Sequence, residues 1–115
     1  MRVILTFFLF LSCLLSMSMQ FPDKSSFIVA GVEVSIYPNP TTDGHFSLKL
    51  TGLEKSEKVN IKVYNLIGSE VYSHSFSSFA GENKREISLT TVPKGIYMVE
   101  VSLGEEKYTH RLSLL

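Results

Sequence analysis

The chain has 115 residues, 44% of them hydrophobic, and its 11 basic and 11 acidic residues give a formal net charge of zero. This length holds one small domain and excludes a second. The basic residues are scattered singly along the chain, so neither a nucleic-acid-binding surface nor a polybasic membrane patch is predicted. The single cysteine, Cys13, lies in an apolar N-terminal run, so we expect no disulfide and no thiolate chemistry in the mature protein.

The N-terminal segment has the features of an export signal. Met1-Arg2 supplies a short positive region, and residues 3–15 form an apolar stretch too short for a permanent membrane span. Two serines after this stretch have the small-residue spacing of a signal-peptidase site, so the signal peptide is predicted at residues 1–19. The alternative is a lipoprotein site, in which a lipid thioether at Cys13 would anchor the chain.

Residues 20–31 are predicted as a linker, because this segment is rich in polar residues and shows no helical or strand period. After it, short stretches of alternating apolar and polar residues predict about seven strands, and no window has helical spacing. In chain order the strands have apolar faces at Val32, Val34 and Ile36; Phe46, Leu48 and Leu50; Val59, Ile61 and Val63; the segment 70–76; Ile87 and Leu89; Tyr97, Val99, Val101 and Leu103; and Tyr108, Leu112 and Leu114.

Turn-forming residues separate these strands. The segment 38–44 contains two prolines, which have no backbone N–H to donate, and must be a loop. Asn65-Leu66-Ile67-Gly68 predicts a tight hairpin connection, and residues 77–84 a longer loop. Antiparallel strands with one apolar face each bury those faces most simply by stacking two sheets. We therefore predict an all-β domain at residues 32–115, a small immunoglobulin-like antiparallel β-sandwich, with a small barrel as the competing architecture.

No pattern in the sequence predicts a catalytic or metal-binding site. His45, His74 and His110 fall on different predicted strands or their edges, with no carboxylate at the spacing of a triad or metal site. Oxygens in the segment 39–43 could approach calcium, but it has one carboxylate, and turn hydrogen bonding explains the same residues. Phosphate-binding glycine loops and nucleophile elbows are also missing from the sequence. We therefore expect neither enzymatic activity nor a cofactor.

Four segments follow one another in a distinctive order along the predicted domain. They are Val34-Ser35-Ile36-Tyr37-Pro38-Asn39-Pro40; Val59 to Gly68, with Val63-Tyr64-Asn65; Leu89 with Pro93-Lys94-Gly95-Ile96-Tyr97-Met98-Val99-Glu100-Val101; and Lys107 to Leu115. In this order and spacing, the stretch from Val34 to Leu115 resembles the C-terminal sorting domain carried by cargo of the type IX secretion system of Bacteroidetes. One departure is that family members usually place a lysine just before the last apolar residues, where this chain has Arg111, and Ser113 interrupts the closing apolar run.

The resemblance implies a role in protein routing. The Sec signal would deliver the chain to the periplasm, and the type IX outer-membrane translocon would then recognise the folded domain and secrete the chain to the cell surface or the medium. In this family a sortase-like protease commonly cleaves near the start of the domain and attaches the cargo to surface lipopolysaccharide. The residues carried over by the resemblance are recognition positions and not catalytic ones: Gly95, Tyr97 and Val99 from the glycine–tyrosine motif, and Lys107, Arg111 and Leu112 from the terminal strand.

The segment between the predicted signal peptide and the predicted domain, residues 20–31, is too short to fold as a cargo. Three explanations are open: the domain is itself the functional product, the gene is a truncated relic of a larger cargo, or the protein occupies the export machinery as a decoy. The alternative function is a free-standing secreted β-sandwich that binds carbohydrate or a surface protein. That function predicts an exposed aromatic platform, for which the candidates are Tyr37, Tyr64, Tyr72, Phe76 and Phe79.

Overall fold

The computed structural model describes residues 24–115, which form eight β-strands and no helix. The predicted signal peptide, with Cys13, lies outside the described residues. None of residues 24–115 belongs to a helix of the length and apolar character needed to cross a membrane. The strands are β1 (Ser25–Val29), β2 (Val32–Tyr37), β3 (His45–Leu53), β4 (Lys58–Asn65), β5 (Glu70–Ser77), β6 (Gly81–Ser88), β7 (Gly95–Leu103) and β8 (Glu106–Leu114).

The strands form two four-stranded sheets, with the orders β1-β2-β3-β6 and β5-β4-β7-β8. Every neighbouring pair is antiparallel. The order β2-β3-β6 opposite β5-β4-β7-β8 is that of strands A-B-E opposite C′-C-F-G in an immunoglobulin-type sandwich. The predicted all-β sandwich is therefore confirmed, and the barrel alternative is not what forms.

The core lies between the two sheets and consists of the apolar faces that the alternating pattern predicts. Successive side chains of a strand point to opposite faces, so one residue in two enters the core. Ile36, Leu48 and Leu50 from one sheet and Ile61, Val99 and Leu112 from the other have no solvent-exposed surface. Tyr108 departs from its predicted burial: it lies on the inner face of β8, but 47% of its surface remains exposed.

The structure corrects the predicted linker at residues 20–31, because Ser25–Val29 form β1. This strand pairs with β2 in register from Ser25 opposite Ile36 to Val29 opposite Val32, across a two-residue turn. Phe27 and Val29 alternate with exposed neighbours and are almost fully buried. Two apolar positions are too short a pattern to identify a strand, and β1 is stabilised by tertiary contacts that the local sequence does not reveal.

The loop between β5 and β6 is also shorter than the predicted 77–84, because β6 begins at Gly81. The polar segment 81–86 pairs with β3, with Asn83 opposite Leu50 and Arg85 opposite Leu48. Asn83 is buried, and its side chain is hydrogen-bonded to the backbone of Phe79 through both the amide nitrogen and the amide oxygen. Pairing with a neighbouring strand, and not apolar alternation, thus makes this segment a strand.

Candidate recognition surface on the terminal hairpin

The six residues predicted as recognition positions all lie on one hairpin, formed by β7 and β8. Gly95 is opposite Leu114 at the open end of the hairpin, and Lys107 is opposite Ser102 near its turn. The remaining predicted residues are paired as Tyr97 opposite Leu112, Met98 opposite Arg111, and Val99 opposite His110.

Burial divides the six residues into two groups. Tyr97, Val99 and Leu112 point into the core and are at most 5% exposed, so a partner cannot touch their side chains while the domain is folded. Gly95, Lys107 and Arg111 are exposed. The exposed group can contact a partner directly, whereas the buried group fixes the position of the hairpin.

Tyr97 holds the start of β7 against the chain that precedes it. Its ring is buried, and its hydroxyl donates a hydrogen bond to the backbone carbonyl of Pro93, four residues upstream. This is the tyrosine corner of immunoglobulin-like sandwiches, which lies near the start of the corresponding strand. Gly95, between these two residues, has φ of 150°, a conformation that residues with a Cβ atom rarely adopt. The glycine–tyrosine motif therefore encodes a specific corner of the fold.

The loop that follows β2 packs along the outer edge of β8; we call residues 38–44 the entry loop. Asn39 Nδ2 donates hydrogen bonds to the Arg111 carbonyl at 2.9 Å and to Ser25 Oγ at 3.0 Å. Asn39 Oδ1 accepts a hydrogen bond from the backbone N–H of Ser113 at 3.1 Å. The backbone of Thr41 then donates to the Ser113 carbonyl and accepts from the N–H of Leu115, both at 2.9 Å.

These contacts provide hydrogen-bond partners for outward-pointing backbone groups of the chain from residue 111 to residue 115. Backbone groups that point away from β7 recur every second residue, so those of Lys107 and Thr109 lie along the same edge, beyond the reach of the entry loop. The sequence pattern identified the entry loop as a motif but did not reveal its role as the partner of β8. An asparagine between two prolines was the available signal, because its amide can replace the backbone donor that each proline lacks.

Asn39, Thr41 and Asp43, in the segment considered for calcium, make hydrogen bonds within the protein. Asp43 Oδ1 accepts a hydrogen bond from the backbone N–H of His45 at 2.9 Å and lies 3.1 Å from the hydroxyl of buried Thr41. The hydroxyl of Thr41 is also 2.8 Å from the His45 carbonyl oxygen. The bond from the His45 backbone, followed by that from Thr41, lowers the pKa of the Asp43 carboxyl. Residues 24–115 bring together no group of three acidic, histidine or cysteine side chains able to hold a metal ion.

An open groove of about 340 Å³ lies where β1, the entry loop and β8 meet; it is lined by Ser25, Asn39, Pro40, His110, Arg111 and Ser113. His110 is stacked on the ring of Phe27 at a centroid distance of 5.1 Å, and its burial lowers the pKa of its imidazole. Arg111 extends from the opposite face of the strand and is exposed. Sequence reasoning placed Arg111 at this strand but did not find the aromatic contact beside it.

The aromatic residues proposed as a carbohydrate platform are not brought together. Tyr37 belongs to one sheet and Tyr64 to the other. Tyr72 and Phe76 pack partly against the core, while Phe79, in the turn between β5 and β6, is 75% exposed. The three histidines are likewise spread over β3, β5 and β8.

A family model described as "Secretion system C-terminal sorting domain" matches residues 35–114. A comparison with curated proteins gives no match. The matched region begins within β2 and ends at the last residue of β8, so it contains the entry loop, the tyrosine corner and the whole terminal hairpin. It does not include β1.

Proposed function

The chain belongs to the family of secretion-system C-terminal sorting domains, and on this basis we propose that its β-sandwich directs secretion across the outer membrane and attachment at the cell surface. The family gives the domain the role of a type IX secretion sorting signal. The main support for the proposal is the extent of the family match. Residues 35–114 include the terminal hairpin and the entry loop that is hydrogen-bonded to it.

In this proposal the type IX outer-membrane translocon recognises the exposed part of the terminal hairpin. Lys107 and Arg111 project from the same face of β8, four residues apart, and are solvent-accessible. Gly95 lies at the exposed corner where β7 begins. The buried residues Tyr97 and Leu112 act indirectly, by holding the strands that carry the exposed groups. In this proposal the domain works as a recognition module.

We extend the proposal to the steps before and after recognition. The predicted signal peptide at residues 1–19 would bring the chain to the periplasm through the Sec pathway. A sortase-like protease would then process the chain near the start of the domain and join the upstream product to surface lipopolysaccharide. Whatever lies upstream of the cut is the cargo of this route.

Localisation of a fluorescent passenger tests the proposal. The passenger, a protein that matures in the periplasm, is inserted after Gln20, ahead of β1, in a host with a working type IX system and in a translocon-null strain. We expect surface or medium delivery in the first strain and periplasmic retention in the second. Retention in both strains would contradict the proposed function, and delivery in both would show a different export route.

A further inference from the structure

Strand β1 covers the inner face of the terminal strand from the opposite sheet. Phe27 stacks on Tyr108 at a centroid distance of 4.9 Å and on His110 at 5.1 Å, so one ring of β1 covers two successive inward positions of β8. At the end of β1, Ser25 Oγ accepts a hydrogen bond from Asn39, which also holds Arg111 and Ser113. The edges of the two sheets are thus joined through β1 and the entry loop.

This cover lies outside the part of the chain that defines the family. The family match begins at residue 35, whereas β1 ends at Val29. The terminal strand that it covers lies wholly within the matched region, which ends at residue 114. A segment that the family model does not include therefore lies over part of the strand that carries the predicted recognition residues.

The attachment of β1 suits reversible opening. It is a five-residue strand at the edge of its sheet, and among residues 24–115 the only strand that it pairs with is β2. The upstream chain enters through Ser25, the end of β1 farthest from its turn with β2. Tension on the upstream chain would consequently separate the pairs one at a time, from Ser25 opposite Ile36 towards Val29 opposite Val32.

We propose that β1 is an intramolecular cover, held over the inner face of β8 by Phe27, and that it must open before the secretion machinery can engage that inner face. This inference rests on the proposed sorting function. Opening removes the aromatic stack from Tyr108 and His110 and leaves the rest of the sandwich, from β2 onward, in place. The inner face of β8 at Tyr108 and His110 would thus become accessible only when the upstream segment is drawn away, in addition to Lys107 and Arg111, which are exposed on the outer face.

A disulfide that locks the cover closed provides the test. Ser26 and Ser35 are directly opposite on β1 and β2, and their hydroxyl oxygens are 3.3 Å apart, close enough for cysteines at both positions to bond with little movement. Cys13 falls within the predicted signal peptide, so it would not compete in the mature chain. The double variant Ser26→Cys/Ser35→Cys is compared with each single variant in the passenger assay described above.

We expect the oxidised double variant to remain in the periplasm while both single variants reach the surface like the wild type. Surface delivery of the disulfide-bonded double variant at the wild-type level would overturn the proposal that β1 must open. Failure of the wild-type chain itself to reach the surface would instead contradict the proposed function, so the two failures are distinguishable. Gel mobility without reductant verifies that the disulfide is present in the exported or retained protein.

Hydrogen exchange on the mature chain gives a second measurement, which does not depend on export or on the folding of the variant. If β1 opens locally, its amides exchange at a rate that is insensitive to low denaturant concentrations, whereas the amides of β4 and β7 exchange through global unfolding. Phe27→Ala should accelerate exchange in β1, and Ile28→Ala, at a position 61% exposed on the same strand, should change it much less. Exchange of β1 only together with β7 would overturn the proposal.

Discussion

Asn39 accepts a hydrogen bond from the backbone N–H of Ser113 at 3.1 Å, although the two residues are 74 positions apart in the chain. Through this bond the loop after the second strand is fixed to the last strand of the domain. The motif at the start of the family match and the strand at its end are consequently parts of one structure. The entry loop is needed because it supplies hydrogen-bond partners for the outer edge of β8.

Replacing Asn39 with alanine should destabilise the domain by about 1–3 kcal/mol, because the Ser113 N–H and the Arg111 carbonyl lose their partner. Thr42→Ala is the matched control, since Thr42 is exposed in the same loop and should change stability by less than about 0.5 kcal/mol. Urea denaturation of both variants measures the difference. Equal stabilities of the two variants would show that the bonds to β8 contribute nothing.

Tyr97→Phe should destabilise the domain by about 0.5–1.5 kcal/mol, because it removes the hydroxyl that donates to Pro93 and keeps the buried ring. Tyr64→Phe, at a half-buried position on the outer face of β4, serves as the control and should have a smaller effect. Thermal unfolding followed by circular dichroism compares them. A larger loss for Tyr64→Phe would be incompatible with a tyrosine corner at Tyr97.

The stability of the domain should fall as the pH drops below about 6.5, and His110 should be a cause. Burial against Phe27 lowers the pKa of this imidazole, so the folded state binds its proton more weakly than the unfolded state does. The contribution of His110 to the free energy of unfolding is complete above the ordinary pKa of histidine. It is lost as the pH falls through the lowered pKa of the folded state. The carboxyls of Asp43 and Glu86, whose pKa values are also lowered, act in a more acidic range.

The variant His110→Phe, which retains an aromatic ring for the stack, isolates this effect. Urea unfolding at several pH values between 8 and 5 should give a smaller loss of stability on acidification for the variant than for the wild type. Identical pH dependence of the two proteins would show that His110 does not contribute.

Lys107→Ala and Arg111→Ala should each reduce surface delivery of a passenger. The reduction should be roughly tenfold where the residue contributes strongly to recognition. Both side chains are exposed, so the stability of the domain should change little. Lys58→Ala, an exposed lysine at the start of β4, is the charge-matched control. Full delivery of both β8 variants would show that these two residues are not part of the recognition surface.

Leu112→Ala should act differently from these exposed positions, because Leu112 is fully buried between the sheets. Truncation of a buried leucine costs about 2–5 kcal/mol, a large fraction of the stability of a small domain. Any export defect should therefore accompany unfolding or degradation, which limited proteolysis of the purified variant measures. An export defect with unchanged stability would place Leu112 in direct contact with a partner.

Alternation of apolar residues was sufficient to predict most of the sandwich. Val59, Ile61 and Val63 on β4, for example, are all fully buried, as their two-residue period requires. Strand β1 was missed because its burial depends on Phe27 packing against Tyr108 and His110, which come from the other end of the chain. The strand β6 was predicted too short because its N-terminal half is polar and pairs with β3 without an apolar period.

The candidate site could be predicted only in part for the same reason. The resemblance placed six residues on the right hairpin, but only the structure separates buried Tyr97, Val99 and Leu112 from exposed Lys107 and Arg111. The sequence did not reveal which segment satisfies the outer edge of β8, because that contact joins residues more than 70 positions apart. Long-range pairing of this kind leaves no local periodicity in the sequence.

Transfer of the domain to an unrelated protein shows whether this β-sandwich is a sorting signal. Residues 24–115 are fused to the C-terminus of a folded periplasmic protein, and its accessibility to an external protease is measured in a type IX-competent host and in a translocon-null strain. We expect the fusion to reach the surface only in the competent host. Retention of the fusion in the periplasm of the competent host, with the domain folded and intact, would contradict the conclusion that this β-sandwich is a sorting signal.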